Sequence, residues 1–369
     1  MSLDATANPA PAKPSSRYIL WIAVAIIAAI FLWWLHAHVA FDWHTLGQQL
    51  RSVSLGYVLA AIAVIYVSYW LRAVRWAVLL SPVRRVPATQ VIASQLIGFT
   101  AVALIGRIAD LSRPYLIARK LKLPVASQLA IYSVERAFDL GAAAILFSVT
   151  LAFAPHDLPH HSAYVHAGEI SLAATLGIAM FAIALRLAGE LVARIVHAML
   201  APLSKGVAAT LSERILDFRE GLRTVSTLRE FLVALAISLL MWAAIAICYL
   251  LSARAFVAAP TLAHLSFTAM MLVLATSLGG SLFQLPILGW FTQIAVIAAA
   301  LHGFFNVPLE TATACAALIL FCSTLDIIPA GLIAAKLEGT SLRQAVKESE
   351  ALEAAPPAQG APLSLLESD

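Results

Sequence analysis

Runs of about twenty apolar residues follow one another along this chain, and they restrict its fold more than any other feature. Hydrophobic residues make up 61% of the 369-residue sequence and charged residues only 12%. The strands of a membrane β-barrel would alternate apolar and polar residues in segments of about ten, a pattern that this sequence does not show. The sequence therefore predicts an all-α fold, a polytopic integral membrane helical bundle.

The predicted bundle has about eight spans, and its basic residues predict its orientation. The spans are expected at about 18–35, 55–80, 125–153, 166–187, 230–253, 263–282, 286–302 and 310–335. Lys and Arg are concentrated in four other segments, namely 72–85, 107–122, 186–229 and 336–347. The positive-inside rule then places the N- and C-termini in the cytoplasm. The net charge of +4 follows from these segments, so it does not indicate a nucleic-acid partner.

One apolar stretch, Ala88–Ile105, has basic residues on both flanks. If it crossed the membrane fully, either 107–122 or 186–229 would lie outside, against the positive-inside rule. We therefore predict a re-entrant hairpin here that enters from the cytoplasm and returns to it. Irregular backbone at membrane depth must be buried in protein or line water, so this prediction implies a cavity.

The stretch 263–302 is also interrupted, by Gly279-Gly280, Pro286 and Gly289. It forms either two full spans or two half-helices that meet inside the membrane. Interrupted helices in both halves of a chain are typical of transporters with a binding site near the bilayer midplane.

The remaining segments complete the predicted domain organisation. Residues 1–16 are expected to be a disordered N-terminal tail and 348–369 a disordered C-terminal tail. The membrane domain covers 17–347, and within it 196–229 is amphipathic, which indicates an interfacial cytoplasmic helix or a helix that binds a partner.

Three ionisable residues, Glu135, Arg136 and Asp139, lie inside a predicted span, about 15 Å from its start. Spacings of three and four place them near one helical face. Charges at this depth are costly unless they face each other or a wet cavity. The trio therefore indicates either a path for a polar cargo or a salt-bridge network that fixes helix packing.

Arg72 and Arg75 lie at the end of the second span, between Trp70 and Trp76. They are either interfacial anchors whose side chains reach the membrane surface or ligands of an anionic lipid phosphate.

Further candidates follow the predicted hairpin. Gly106 permits a turn. Arg107 and Arg113 are positioned to clamp a phosphate, with Asp110 orienting one of them. A plain basic loop beside the membrane is the alternative.

Gln293 and Asp326 are the candidates in the C-terminal half, where Pro329 is expected to kink the last helix. Asp326 lies in an apolar span, and we expect it to pair with Arg136 or another arginine unless it lies near the cytoplasmic surface.

The sequence does not indicate an enzyme, a cofactor or a metal site. It contains no phosphate-binding Gly-x-x-x-x-Gly-Lys loop, and its three cysteines lack zinc-ligand spacing. Those cysteines are expected to be buried packing residues.

Several motifs in order resemble one known family. They are Trp70-Leu71-Arg72-Ala73-Val74-Arg75-Trp76, Gly106-Arg107 with Arg113-Pro114-Tyr115-Leu116, Val134-Glu135-Arg136-Ala137-Phe138-Asp139, the segment near 286–289 and Gly303–Ala312. Together, over about 18–340, they resemble the flippase-like transmembrane region of lysylphosphatidylglycerol synthases and its stand-alone relatives.

The resemblance implies a multi-pass protein of the bacterial inner membrane that moves lipids with polar heads between leaflets. The chain departs from the family pattern at Ala109-Asp110, where Gly-Glu is usual, and at Gln293, where an acid is usual. The neutral group at Gln293 puts a proton or cation role there in doubt. The synthases' soluble transferase domain is absent from the sequence, so we do not expect synthesis of lysyl-lipid.

The leading hypothesis is a flippase or scramblase for a phospholipid or another lipid with a polar headgroup. The alternatives are an accessory protein that regulates a lipid-synthesis enzyme, and an enzyme acting on a lipid carrier. The expected partners are anionic or polar-headgroup membrane lipids, together with a second copy of the chain or a lipid-synthesis enzyme.

Overall fold

A computed structural model describes residues 42–152, 161–202, 204, 206–210, 212, 227–280 and 288–340. The predicted first span, both tails, Pro286 and most of the amphipathic segment 196–229 lie outside these residues. The described residues form helices and connecting turns, and none of them lies in a strand. The predicted all-α class is therefore confirmed.

Twelve α-helices can be followed through the described residues. They are α1 (Trp43–Arg51), α2 (Leu55–Leu80), α3 (Ala88–Ile105), α4 (Ser112–Leu121), α5 (Val125–Ala152), α6 (His161–Leu200), α7 (Leu228–Arg254), α8 (Pro260–Ala263), α9 (Phe267–Gly280), α10 (Leu288–Phe305), α11 (Leu309–Leu320) and α12 (Ile327–Leu337). A 3-10 turn, Arg107–Leu111, precedes α4, and a π-helical turn, Phe321–Leu325, joins α11 to α12.

Four described segments are long and apolar enough to cross a bilayer. They are Leu55–Leu80, Ala88–Ile105, Arg229–Arg254 and Leu309–Leu337. Helix α5 has 28 residues, but it carries Glu135, Arg136 and Asp139 and is therefore less apolar. These helices make the chain a helical membrane protein, and the count of about eight spans stays a prediction.

One end of the bundle collects seven of the described Lys and Arg residues. The Arg84 side chain donates to the Leu121 carbonyl at 2.8 Å, and the Ser81 hydroxyl donates to Glu230 at 3.4 Å. An ion pair joins Lys120 to Glu338. These contacts bring together the ends of α2, α4 and α12 and the start of α7. We call this the basic end, and its Lys and Arg residues are Arg84, Arg85, Arg119, Lys120, Lys122, Arg229 and Lys336.

The opposite end is less basic. The Ser54 amide donates to the Ala255 carbonyl at 2.8 Å, and the Asp42 amide lies 3.5 Å from a Glu310 carboxylate oxygen. The Asp42 side chain caps α1, and hydrogen bonds from Thr45 and from the His44 amide lower the pKa of that carboxyl.

Helices α3 and α4 form a hairpin that begins and ends at the basic end. The chain reverses at Gly106, whose φ of 91° is a conformation that favours glycine. The prediction placed the whole hairpin within Ala88–Ile105, and that boundary is wrong. Ala88–Ile105 is one continuous helix about 27 Å long, and residues 107–121 form the returning arm. Gly98 lies within α3, and its missing side chain makes room for the Arg113 side chain.

Helices α9 and α10 form a second hairpin, which begins and ends at the opposite end. Phe256, before α9, and Val307, after α10, belong to one core cluster, against which Leu46 and Val53 also pack. The arms have 14 and 18 residues. Two full spans and two half-helices would both return the chain to the end from which it enters, so both stay predictions.

The two hairpins enter from opposite ends and meet inside the bundle. Trp290 Nε1, near the start of α10, donates to the Ala103 carbonyl at 2.9 Å. Ala103 is in the last turn of α3, where carbonyls lack partners within the helix. The order of long helix, hairpin and long helix thus occurs twice, in opposite directions: α2, α3–α4 and α5, then α7, α9–α10 and α11–α12. Inverted repeats of this kind are common in transporters.

Candidate functional site

A cluster of buried charges lies where α2, α4, α5 and α7 meet. Arg75 of α2 donates to Glu135 at 2.7 Å, to Asp139 at 2.6 Å and to the Ser238 hydroxyl at 2.8 Å. The Arg75 side chain is fully buried. The interfacial-anchor alternative is therefore wrong for Arg75, because a side chain that reaches the membrane surface would be exposed.

Arg113 of α4 extends the same cluster. Its guanidinium lies 3.1 Å from Glu135 and 2.9 Å from Asp110, and it donates to the Gln95 side chain at 3.2 Å. The guanidinium carbon lies 4.4 Å from the centre of the Phe99 ring, within cation–π range. Arg113 is fully buried, so the basic-loop alternative is wrong for this residue.

Two arginines lie at the edge of the cluster and are partly exposed. The Arg136 side chain is 37% exposed; it lies 2.8 Å from Asp139 and 3.9 Å from Asp110. The Arg72 side chain is 13% exposed; it lies 3.8 Å from Asp139 and stacks over Phe99. The predicted proximity of Glu135, Arg136 and Asp139 is confirmed, since all three join one network.

The charge cluster has one positive charge more than its carboxylates balance. Its described members are Arg72, Arg75, Arg113 and Arg136, with Asp110, Glu135 and Asp139, so four positive charges face three negative ones. Arg107 lies in the adjoining 3-10 turn, and its side chain is outside the description. The buried pairs hold the helices together, whereas the partly exposed arginines are accessible to an anion.

A central cavity of about 230 Å³ adjoins the charge cluster between the tips of the two hairpins. Arg72 belongs to both, and Phe99, whose ring lies under Arg72 and Arg113, also lines the cavity. The polar residues of the cavity wall include Ser68, Arg72, Tyr249, Ser277, Gln293 and Thr324.

Several buried polar atoms of this cavity lack a hydrogen-bond partner within the described residues. They are Ser68 Oγ, Arg72 Nε, Trp242 Nε1 and Gln293 Oε1. Leaving such atoms unpaired costs about 1–3 kcal/mol each, so a wall of this kind suits water or a polar ligand.

The sequence predicted Gln293 and Arg72 but missed Ser68, Trp242 and Ser277. Gln293 donates to the Ser277 hydroxyl at 3.4 Å, which links the two arms of the second hairpin. The missed residues lie on three different helices and share no spacing. Their only signal in the sequence is a polar atom inside an apolar span.

Asp326 lies apart from the charge cluster, at the junction of the π-helical turn and α12. Its carbonyl accepts a hydrogen bond from the Tyr66 hydroxyl at 3.1 Å. Neither carboxylate oxygen has a hydrogen bond or an ion pair with any described side chain. The expected pairing of Asp326 with Arg136 is therefore wrong.

Metal-ligating side chains are not grouped in the part of the chain that the structure describes, where no three His, Cys, Asp or Glu residues come together. Cys248, Cys315 and Cys322 are free and buried, as predicted.

Comparison with known families adds one match. The family model described as "Lysylphosphatidylglycerol synthase TM region" matches residues 20–331, which includes the charge cluster and the central cavity. No curated protein matches the chain.

Proposed function

The chain belongs to the lysylphosphatidylglycerol synthase TM region family, and on that premise we propose that it moves phosphate-bearing lipids between the leaflets of a bacterial inner membrane. One observation carries the proposal. A charge cluster with surplus positive charge adjoins a polar cavity at the place where two opposed hairpins meet.

The proposed path for the headgroup runs from Arg136 to Arg72 and into the cavity. Arg136 is the most exposed arginine of the cluster, and Arg72 is shared between cluster and cavity. Guanidinium groups bind phosphate through charge-assisted hydrogen bonds. The acyl chains would stay in the lipid while the head crosses between protein side chains.

The start of α4 favours the same ligand. Helix α4 begins beside the charge cluster, where the start of a helix carries a partial positive charge. Arg72 is the charged residue of the cavity wall, and its described residues include no carboxylate. The cavity therefore suits an anionic headgroup better than a cationic aminoacyl headgroup.

The proposed orientation follows from the basic end. With that end in the cytoplasm, α3–α4 is a re-entrant hairpin from the cytoplasm and α9–α10 one from the other side. About eight spans and two cytoplasmic termini complete the proposal. Transport of this kind involves no catalytic step.

Proteoliposomes that contain fluorescent phosphatidylglycerol test the proposal. Chemical quenching of the outer leaflet measures how fast the labelled lipid exchanges between leaflets. We expect wild-type protein to accelerate exchange and Arg136→Ala to remove most of that acceleration, with partial rescue in Arg136→Lys because the charge returns without the planar fork.

Arg119→Ala is the matched control, because Arg119 is exposed at the basic end and lies outside the cluster. Equal exchange in wild-type and empty liposomes, or in Arg136→Ala and wild-type protein, would exclude the proposal. An accessory protein would give the first of these results.

A further inference from the structure

Asp326 differs from every other charged residue found at depth in the described bundle. The arginines and carboxylates of the charge cluster are paired with one another. Asp326 is only 9% exposed, and no described side chain pairs with its carboxylate oxygens, beside which only the backbone amides of Asp326 and Ile327 lie as donors. A buried carboxylate must gain a partner or lose its charge, because an isolated charge in a low-dielectric interior is strongly unfavourable.

The surroundings of Asp326 offer no compensating charge. The titratable groups that face it are Tyr66 and Tyr69 of α2, Cys248 of α7 and Cys322 of the π-helical turn. All four are neutral near pH 7. The packed face of α3 contributes no charged group, because Ala88–Ile105 contains none.

The backbone around Asp326 is already occupied by side-chain donors. The Tyr69 hydroxyl donates to the Ser323 carbonyl at 3.3 Å, and the Thr100 hydroxyl donates to the Ile327 carbonyl at 3.2 Å. The Tyr66 hydroxyl donates to the Asp326 carbonyl rather than to the carboxylate. These bonds join α2 and α3 to the π-helical turn and α12, so Asp326 lies at a contact between the two halves of the chain.

We propose that Asp326 is a proton-binding site that couples lipid movement to the proton gradient. A proton adds to one carboxylate oxygen and leaves from it again, with no other bond made or broken. Binding removes the charge from the contact between the two halves, and release restores it. The free energy of packing α2 and α3 against α12 therefore differs between the two protonation states.

The described surroundings suit a proton better than a metal cation. A sodium or calcium ion needs several oxygen ligands arranged around it. Asp326 is a lone carboxylate, and each neighbouring carbonyl of Ser323, Asp326 and Ile327 has one of its two acceptor positions taken by a hydroxyl.

Infrared difference spectroscopy tests proton binding without any transport. The full chain in lipid nanodiscs is stepped between about pH 5 and 8. We expect a band of a protonated buried carboxyl group that is present in wild-type protein and in Glu169→Gln, and lost in Asp326→Asn. Glu169 is the matched control because it is an exposed carboxylate of α6. Identical spectra for wild-type protein and Asp326→Asn would overturn the proposal.

A second experiment tests coupling, and this part rests on the proposed function. In proteoliposomes, a gradient of one pH unit is expected to shift the leaflet distribution of fluorescent phosphatidylglycerol about tenfold if one proton moves with each lipid. Asp326→Asn should abolish that shift. If the leaflet distribution in wild-type proteoliposomes does not depend on the pH gradient, coupling is excluded, whereas lipid transport is still supported by the exchange itself. An infrared band that depends on Asp326, in a protein that gives no lipid exchange between leaflets, would contradict the proposed function and support the proton-binding site.

If Asp326→Asn does not fold, the wild-type spectra and Asp326→Glu decide the question. The longer acid is expected to keep a carboxyl band at a shifted frequency. A wild-type protein with no such band would overturn the proposal by itself.

Discussion

Replacing Arg75 by alanine should reveal how strongly the buried part of the charge cluster holds the helices together. Arg75 is fully buried and joins α2 to α5 and α7 through Glu135, Asp139 and Ser238. Its removal leaves both carboxylates with one arginine fewer. The polar core between these helices would then contain charges that the remaining arginines only partly compensate.

The expected cost is large and can be estimated in two ways. Each hydrogen bond between charged groups contributes about 1.5–3 kcal/mol, and Arg75 makes two of them. Breaking a buried ion pair by removing one partner costs about 3–5 kcal/mol in soluble proteins. We therefore expect Arg75→Ala to lower the free energy of unfolding by about 3–5 kcal/mol, which is two to nearly four powers of ten in the unfolding equilibrium.

Arg136→Ala provides the contrast. Arg136 contacts the same Asp139, but its side chain is 37% exposed and water can partly replace it, so we expect Arg136→Ala to lower the free energy of unfolding by less than Arg75→Ala does. Unfolding of the purified protein in mixed micelles, titrated with a denaturing detergent, measures both variants. Arg119→Ala at the basic end again serves as the neutral control.

Equal free energies of unfolding for Arg75→Ala and Arg136→Ala would contradict this estimate. A loss of less than about 1 kcal/mol in Arg75→Ala would contradict it as well, because removing a fully buried guanidinium leaves two buried carboxylates only partly compensated.

Two further substitutions test the hairpins. Gly331→Ala should destabilise the fold strongly, because the new Cβ would overlap the Thr100 side chain and lie 2.8 Å from the Leu96 carbonyl oxygen. Gly303→Ala on α10 is the control, since its Cβ meets nothing within 4 Å and the change should be neutral or stabilising. Thermal unfolding measures both variants, and an equal loss of stability would refute the packing of α12 on α3. Trp290→Phe should remove the hydrogen bond to the Ala103 carbonyl and lower the free energy of unfolding by about 1 kcal/mol. Amide hydrogen exchange in the last turn of α3 should become faster. Unchanged exchange there would show that the contact between α3 and α10 does not depend on this bond.

The sequence predicted the part of the site that lies on one helix. Glu135, Arg136 and Asp139 could be placed together because helical spacing of three and four determines which residues share a face. Long apolar runs likewise predicted α2, α7 and the segment of α11 and α12, because a span of that length leaves few other structures.

Contacts between distant helices could not be predicted in the same way. Arg75 lies five residues from the end of α2, a position where arginines commonly reach the membrane surface. Only the approach of α5 and α7 shows that it is buried. Asp326 was expected to meet an arginine, but the π-helical turn before it changes the helical register, which no residue pattern in 310–335 signals.

The hairpin tips are held differently from the long helices around them. Each hairpin begins and ends at one end of the bundle, and Ala103 of α3 and Trp290 of α10 meet inside the protein. Within the described residues, the direct hydrogen bond between the tips is that of Trp290 to Ala103, and a bond of about 1 kcal/mol breaks often at ambient temperature. An opening of the contact between α3 and α10 therefore begins at this hydrogen bond, while Thr100 and Arg113 continue to hold the first hairpin to α12 and α5.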